Sequence, residues 1–348
     1  MQDVTTMPGR VETFLAEREP DRSPVVCTSY EPMAGGYSRV MARASVTWAD
    51  GASEELVLRG DPPSGQALID TDRAAEWSIH SALSELGHVR VPAARHYDDT
   101  GNGLGTKCIV MSHCEGLSLQ AHVEEKEELA PYGIRLAEQL ASIHNVDVDQ
   151  LPETMGRPEP ATVIPRLVAV WEALIAEHVN TNPVTRYVVK WLAENKPAPM
   201  ANVLVHGDFQ NPNVMIDSAQ DLTMVDWEFA HLCDPREDLG WYNIYSSVVG
   251  TNLYAEDPEA FLETYRTLTG FSKADVNQLT VGYFTVAGAA RVSKQIVGAI
   301  DALARDELNS TMAAHQAIGA TSQGNALYLE AVPAMDQALR AIREAGAS

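Results

Sequence analysis

The chain has 348 residues, enough for two domains or one large two-lobed one. Hydrophobic residues make up 45% and charged residues 21%, the proportions of a globular chain with a sizeable core, which excludes disorder as its main state. Its 25 basic and 48 acidic residues leave a net charge of −23, so nucleic acid and anionic membranes meet net repulsion and neither is an expected partner.

Val11, Phe14 and Leu15 have helical spacing and predict a short helix over Arg10–Glu19, ended by Pro20. From Val25 to Arg59 the pattern is that of strands. Val40–Trp48 and Leu56–Arg59 flank Ala49-Asp50-Gly51, and Asp-Gly between two such runs is a hairpin signal. Asp61-Pro62-Pro63-Ser64-Gly65 reads as a loop. Ala75, Ile79, Leu83 and Leu86 form a helical stripe over Asp70–Leu86, with Gly87 at the expected C-terminal stop. An extended piece begins at Val91-Pro92, Asp99–Gly105 is a glycine-rich turn, and Thr106–Met111 is a further strand.

Beyond Met111 helices dominate. Leu117–Asn145 reads as mostly helical, with Leu129, Leu136, Leu140 and Ile143 on its core face, and Leu151–Pro160 as a loop. Val163–Val179 and Pro183–Glu194 are expected helices. Short strands are expected at Asn202–Val205, Val214–Ile216 and Leu222–Val225, then helices from Pro235 to Ala345 with breaks near Thr251, Gly270 and Gly319. The joint between the sheet-rich and helical parts falls near Ser112–Gly116. Leu279–Val292 is the longest apolar stretch, but Gly282, Gly288 and Arg291 leave it too broken to span a bilayer.

Cys27, Cys108, Cys114 and Cys233 form no C-x-x-C pair and are too few for a disulfide scaffold. No signal peptide is legible at Met1–Thr6. The expected setting is the reducing cytoplasm. Gly101, Gly103 and Gly105 precede a strand rather than a helix and do not make a dinucleotide loop, and H-E-x-x-H, G-x-S-x-G and Walker A motifs are missing.

The residues that carry chemistry lie in Val205-His206-Gly207-Asp208-Phe209-Gln210-Asn211-Pro212-Asn213-Val214-Met215-Ile216, followed by Met224-Val225-Asp226-Trp227-Glu228. Apolar runs bracket a polar loop with an Asp and, five positions on, an Asn. A second Asp follows a second apolar run. Strands joined by tight turns bring Asp208, Asn213 and Asp226 to one end of a small ribbon. Asp208 is then free to accept a proton, while the Asn213 amide oxygen and the Asp226 carboxylate can hold Mg2+, which favours oxygen ligands and takes few from protein. This is the spacing of the H-x-D-x-x-x-x-N loop and following metal Asp of kinase-like phosphotransferases.

The form of these motifs, together with Asp234-Pro235-Arg236-Glu237-Asp238-Leu239-Gly240, resembles the aminoglycoside phosphotransferase family over roughly residues 25–250. The resemblance implies an α+β, protein-kinase-like bilobal fold, with a small antiparallel-sheet N-lobe over 1–113 and a mainly helical C-lobe over 114–348. It also implies a nucleotide-covering loop at Gly35, Gly36 and Ser38, and phosphate pairing by Arg59 with Glu76 as its partner. The hinge that meets adenine would be at Met111 and His113. Arg59 stands where drug-modifying members carry Lys, and Arg followed by Asp61-Pro62-Pro63 looks more like the branch related to kinase-like domains fused to acyl-CoA dehydrogenases. That branch implies hydroxyacyl-CoA-type substrates. The expected activity is ATP- and Mg2+-dependent phosphorylation of a hydroxyl group on a small molecule. The alternatives are an aminoglycoside kinase and a pseudokinase that binds nucleotide without turnover. Acidic residues are spread over the chain, 17 against 10 basic in residues 1–115 and 31 against 15 in 116–348, which reads as solubility rather than as a field for a cationic substrate.

Overall fold

The computed structural model describes residues 4–33, 39–62, 71–177 and 183–288, together with 290, 291, 332 and 336. The expected nucleotide-covering loop at Gly35, Gly36 and Ser38, and the expected break near Gly319, lie outside the described residues.

The N-terminal helix α1 (Met7–Arg18) starts a turn earlier than expected, with Pro8 in its first turn, where a missing N–H costs nothing. It lies on a five-stranded sheet of β1 (Val25–Met33), β2 (Val40–Trp48), β3 (Ser53–Gly60), β4 (Ala94–Asp98) and β5 (Cys108–Ser112). The order is β1-β2-β3-β5-β4, and every neighbouring pair is antiparallel. Alternate residues of β2, Ala42, Ala44, Val46 and Trp48, face α1 and meet Phe14 and Leu15 in one core. Leu56 and Leu58 of β3 join them, so Val57 and Arg59 point to the opposite face. The glycine-rich turn after β4 closes on the buried Asp98 carboxylate, which accepts from the backbone N–H groups of Gly101 and Leu104.

Helix α2 (Arg73–Leu86) covers that opposite face. Asp72 caps it by accepting from the N–H groups of Ala74 and Ala75, and Gly87 ends it in the left-handed region. Ile79 and Leu83 of α2 belong to the main core of the helical part, together with Leu136, Leu140, Phe209 and Trp227. A helix anchored below in this way holds Glu76, one turn above, at a fixed height over the sheet.

The helical part opens on β6 (Leu117–Ser118) and α3 (Leu119–Val123). Within the stretch expected to be mostly helical, Leu117–Asn145, the chain breaks after α3, and α4 (Ala130–His144) begins afresh with Pro131 in its first turn, because proline inside a helix removes a hydrogen bond and clashes with the preceding turn. Next come α5 (Pro160–Glu177), α6 (Pro183–Glu194), β7 (Val203–Val205), β8 (Val214–Ile216), β9 (Leu222–Met224) and β10 (His231–Cys233). The chain continues through α7 (Arg236–Val249), α8 (Leu253–Glu256), α9 (Pro258–Thr269) and helical residues 278–288. β8 and β9 form a hairpin with β6 on its edge. β7 does not pair with β8, as a single ribbon would require; it pairs with β10, a strand the sequence pattern misses. Among the described residues no helix is long and apolar enough to cross a membrane.

Candidate active site

The loop between β7 and β8 carries Asp208 and Asn213, and the chain leaving β9 carries Asp226. The register Val214↔Met224 puts the two ends of the hairpin side by side, and the Val225 N–H extends the pairing to the Asn213 carbonyl at 3.0 Å. Gly207 sits at φ +76°, and a Cβ there would run into the Phe229 carbonyl, so only glycine lets the loop pass this close. His206 is fully buried. Its Nε2 donates to the Val225 carbonyl at 2.9 Å, and its Nδ1 accepts the Asp208 N–H at 3.2 Å. This is a neutral tautomer, consistent with burial pushing its pKa down. His206 thus ties the loop to the strand after the hairpin rather than acting as an acid or base.

Asp208 is held on both carboxylate oxygens by neutral donors. Trp241 Nε1 donates to Oδ1 at 2.9 Å, and Gln210 Nε2 and Asn213 Nδ2 donate to Oδ2 at 2.7 and 2.9 Å. The Asn213 nitrogen also donates to the Asp208 carbonyl, so its amide oxygen is the atom left to meet a cation. Beneath the loop, the buried Asp238 carboxylate accepts from the His206 and Gly207 N–H groups at 2.7 and 2.9 Å, and from His144 Nε2 at 3.2 Å. Asp234 grips Arg236 at the start of the same helix through two oxygens, at 2.8 and 2.6 Å. The Asp234–Gly240 run therefore acts as a brace for the loop.

Facing this loop is a cluster of ion pairs between the sheet and the helical part. Arg59, 7% exposed in its side chain, donates through Nε to Glu76 Oε1 at 2.8 Å and through Nη2 to Asp226. The same Nη2 lies 3.5 Å from Glu228 Oε2. Arg73 holds the other oxygen of Glu76, and Arg39 pairs with Glu228 at 2.8 Å. Glu228 is thus buried between two arginines, not solvated. Burial opposes the charge of Arg59, but Asp226, Glu76 and Glu228 outweigh it and raise its pKa. Asp226 stands at φ +69°, a left-handed conformation that a short polar side chain tolerates. Burial and the neighbouring carboxylates of Glu228, Glu76 and Asp208, only partly offset by Arg59, push its pKa up to about 7.

The oxygen donors of Asn213 and Asp226, the latter crowded by the Glu76 and Glu228 carboxylates, fit Mg2+. The structure thus brings together five of the residues singled out in sequence: Asp208, Asn213, Asp226, Arg59 and Glu76. Met111 and His113 stand apart. Met111 packs with Val57 and Ile109, and the His113 N–H donates to the Glu55 carbonyl at 2.9 Å; among the described residues no hydrogen bond joins either to the cluster. Sequence reasoning missed Trp241, Arg73 and the bracing role of Asp238. Only Asp238 had a local signal, the run in which it lies.

A small sheet lobe and a large helical lobe, meeting at an Asp-Asn-Asp constellation, define a protein-kinase-like phosphotransferase. The model of the phosphotransferase enzyme family (APH) matches residues 30–275, and the chain belongs to that family. Acyl-CoA dehydrogenase family member 10 of Mus musculus is 29% identical over 199 residues, which are 55% of this chain and 18% of that protein. The chain therefore spans under a fifth of the length of this relative. Among solved structures, a Ralstonia eutropha JMP134 protein assigned as an aminoglycoside phosphotransferase superposes with a TM-score of 0.69 at 17% identity, covering 93% of this chain and 97% of the other. The GDP complex of aminoglycoside 2'-phosphotransferase-IIIa superposes with a TM-score of 0.60 at 15% identity, covering 92% and 98%. At such identities these two likenesses speak to the fold.

Proposed function

We propose that the protein transfers the γ-phosphoryl group of ATP to the hydroxyl of a small molecule held against the helical lobe. The observation that carries this reading is the Asp208 carboxylate, fixed by Trp241, Gln210 and Asn213 beside the Arg59–Glu76–Asp226 cluster. The acceptor oxygen bonds to phosphorus as the bond to the β-phosphate oxygen breaks, ADP leaves, and the hydroxyl proton passes to Asp208. Such a site works chiefly by positioning and by neutralising charge. Asn213 and Asp226 would hold Mg2+, whose charge offsets that of the phosphates. Arg59, oriented by Glu76, serves the phosphate oxygens, with the Gly35, Gly36 and Ser38 loop covering them and Met111 and His113 flanking the base. GDP in a structural neighbour supports nucleotide use.

We place the lobe boundary at 113/114, with nucleotide on the 1–113 side and acceptor on the 114–348 side, and the protein in the cytoplasm, where its free cysteines stay reduced. No nucleic acid partner is expected. For the acceptor, Arg59 and the likeness to acyl-CoA dehydrogenase family member 10 favour a hydroxyacyl-CoA over an aminoglycoside. Steady-state ADP release with Mg·ATP, across hydroxyacyl-CoAs, other hydroxy compounds and kanamycin, tests the assignment. Nucleotide binding with no turnover on any acceptor or on water would make the protein a pseudokinase. A kcat/KM near ~10⁴ M⁻¹s⁻¹ on kanamycin would move it to the drug kinases.

A further inference from the structure

β10 sets His231 and Cys233 on the same face of the strand, while Leu232 between them turns into the main core. Asp234 and Pro235 lead the chain into α7, whose first turn carries Glu237. The spacing H-x-C-x-x-x-E belongs to no familiar metal motif, and it is the step from strand to helix that gathers the three side chains. One imidazole nitrogen, one sulfur and one carboxylate oxygen then lie within 4.8 Å of one another.

These donor atoms converge. Glu237 Oε2 lies 3.4 Å from His231 Nε2 and accepts from Cys233 Sγ at 2.8 Å. His231 Nδ1 donates to the Phe229 carbonyl at 2.8 Å, which fixes the ring and leaves Nε2 as the nitrogen that can offer a lone pair. A backbone carbonyl in this place is the usual support of a metal-bound histidine. Bonds of about 2.3 Å to sulfur and about 2.0–2.2 Å to nitrogen and oxygen set the tetrahedral ligands of zinc roughly 3.4–3.6 Å apart. The His231–Glu237 spacing meets that value, and the shorter thiol contact is a hydrogen bond that lengthens once its proton leaves. Pairing with β7 holds the strand in place. Cys233 is buried, but His231 and Glu237 line a cavity of about 330 Å3 through which an ion can enter.

The nearby Arg291 does not close the site. Its Nη1 stands 4.0 Å from Oε1, the other oxygen of Glu237, and donates to the Gly207 carbonyl, and its guanidinium carbon lies 4.4 Å from the centre of the Trp241 ring. Burial opposes a charge on His231, but Glu237 outweighs it and lifts the pKa to about 9, while burial and Glu237 push the Cys233 thiol up. A divalent ion that displaces the imidazolium proton and the thiol proton leaves the net charge of the cluster unchanged, so Arg291 meets no added repulsion.

We infer that His231 Nε2, Cys233 Sγ and Glu237 Oε2 form a site for a divalent ion of the zinc class, separate from Asn213 and Asp226, with its fourth position open to the cavity. Both protons pass to solvent as the thiolate and imidazole bonds to the ion form. The donor set selects the ion, since thiolate and imidazole favour zinc or cobalt, whereas Mg2+ takes oxygen. The bound ion ties β10 to α7 directly beside Asp238, the brace of the catalytic loop. The inference stands without the phosphotransfer reading.

The test is titration of the full chain, stripped by a chelator and reduced by a phosphine, with Co2+, whose absorption reports both geometry and sulfur ligation. One equivalent gives the visible bands of a four-coordinate ion and a near-ultraviolet thiolate-to-cobalt band. Zn2+ displaces the Co2+ and raises the melting temperature, and excess Mg2+ leaves the bands in place. Cys233→Ser removes the thiolate band, whereas Cys27→Ser and Cys114→Ser keep it. His231→Gln, at a side chain 42% exposed and therefore tolerant of change, weakens Co2+ binding about tenfold or more. Melting of each metal-free variant shows that it is folded. The inference is overturned if no thiolate band develops up to millimolar Co2+, if the band survives Cys233→Ser or follows another cysteine, if Mg2+ displaces the ion, or if His231→Gln binds Co2+ as tightly as the parent.

Discussion

Asp208 and Asp226 stand at the same end of the β8–β9 hairpin, yet their surroundings differ in kind. Asp208 is satisfied by neutral donors from Trp241, Gln210 and Asn213. Asp226 is held by one arginine shared with Glu76 and Glu228, in a cluster whose carboxylates repel one another. Neutral donors orient a carboxylate without cancelling its charge, which suits a group that must accept or direct a proton. A crowded carboxylate is poised to gain from a further cation. One region is finished as it stands, and the other favours a ligand that brings positive charge.

The largest effect should come from the finished region. Asp208→Asn should lower kcat by roughly 10²- to 10⁴-fold, the usual range for loss of a positioned base. Nucleotide affinity should stay within about twofold, since Asp208 faces the acceptor. Steady-state kinetics beside nucleotide titration checks this, and full activity in the variant would remove Asp208 from the mechanism.

Next is the brace. Asp238→Ala strands the buried N–H groups of His206 and Gly207 and the His144 ring, and should cost about 3 kcal/mol of stability by denaturant unfolding. Asp238→Asn keeps an acceptor and should lose less. Equal losses in the two variants would mean that the acceptor oxygens are not what matters.

The crowded region predicts a pH dependence. A carboxyl pKa near 7 in the folded chain, against about 4 unfolded, means that the folded state binds more protons between those values. Stability without divalent cation should therefore fall as pH rises from about 4 to 7, by at most about 1.4 kcal/mol per pH unit from this group. Asp226→Asn should flatten that slope, and saturating Mg·ATP, by lowering the folded pKa, should abolish it. Thermal unfolding at pH 5, 6 and 7 in EDTA measures it; identical slopes for parent and variant would show that Asp226 is not the crowded group.

The smallest effect probes the shared arginine. Arg59→Lys keeps the charge but cannot reach Glu76 and Asp226 together with a planar fork. It should raise the KM for ATP about three- to tenfold with little change in kcat. An unchanged KM would separate Arg59 from the phosphates.

Much of this site was legible because its chemistry is local. Asp208 and Asn213 are five positions apart, Asp226 follows one hairpin later, and short-range turn geometry alone brings them together. Arg59 and Glu76 were singled out by the family resemblance alone, since no spacing within the chain joins them. Trp241 and Arg73 were not legible, since nothing in their own neighbourhoods tells which carboxylate an indole or a guanidinium will meet. The three-residue strand His231–Cys233 escaped for a similar reason: it is too short to show a period, and its partner β7 lies on the far side of the whole β8–β9 hairpin.

By itself, the sequence determined the division into a sheet-rich and a helical part, the two strands of the catalytic hairpin and the spacing of the oxygen donors. Each of these follows from hydrophobic period, turn residues or spacing within about thirty positions. Only the tertiary structure decided which charges face one another. Arg59 meets Asp226 across 167 positions and Arg291 meets Gly207 across 84. Burial, which sets the strength of those meetings, belongs to the packed molecule and to no single segment of the chain.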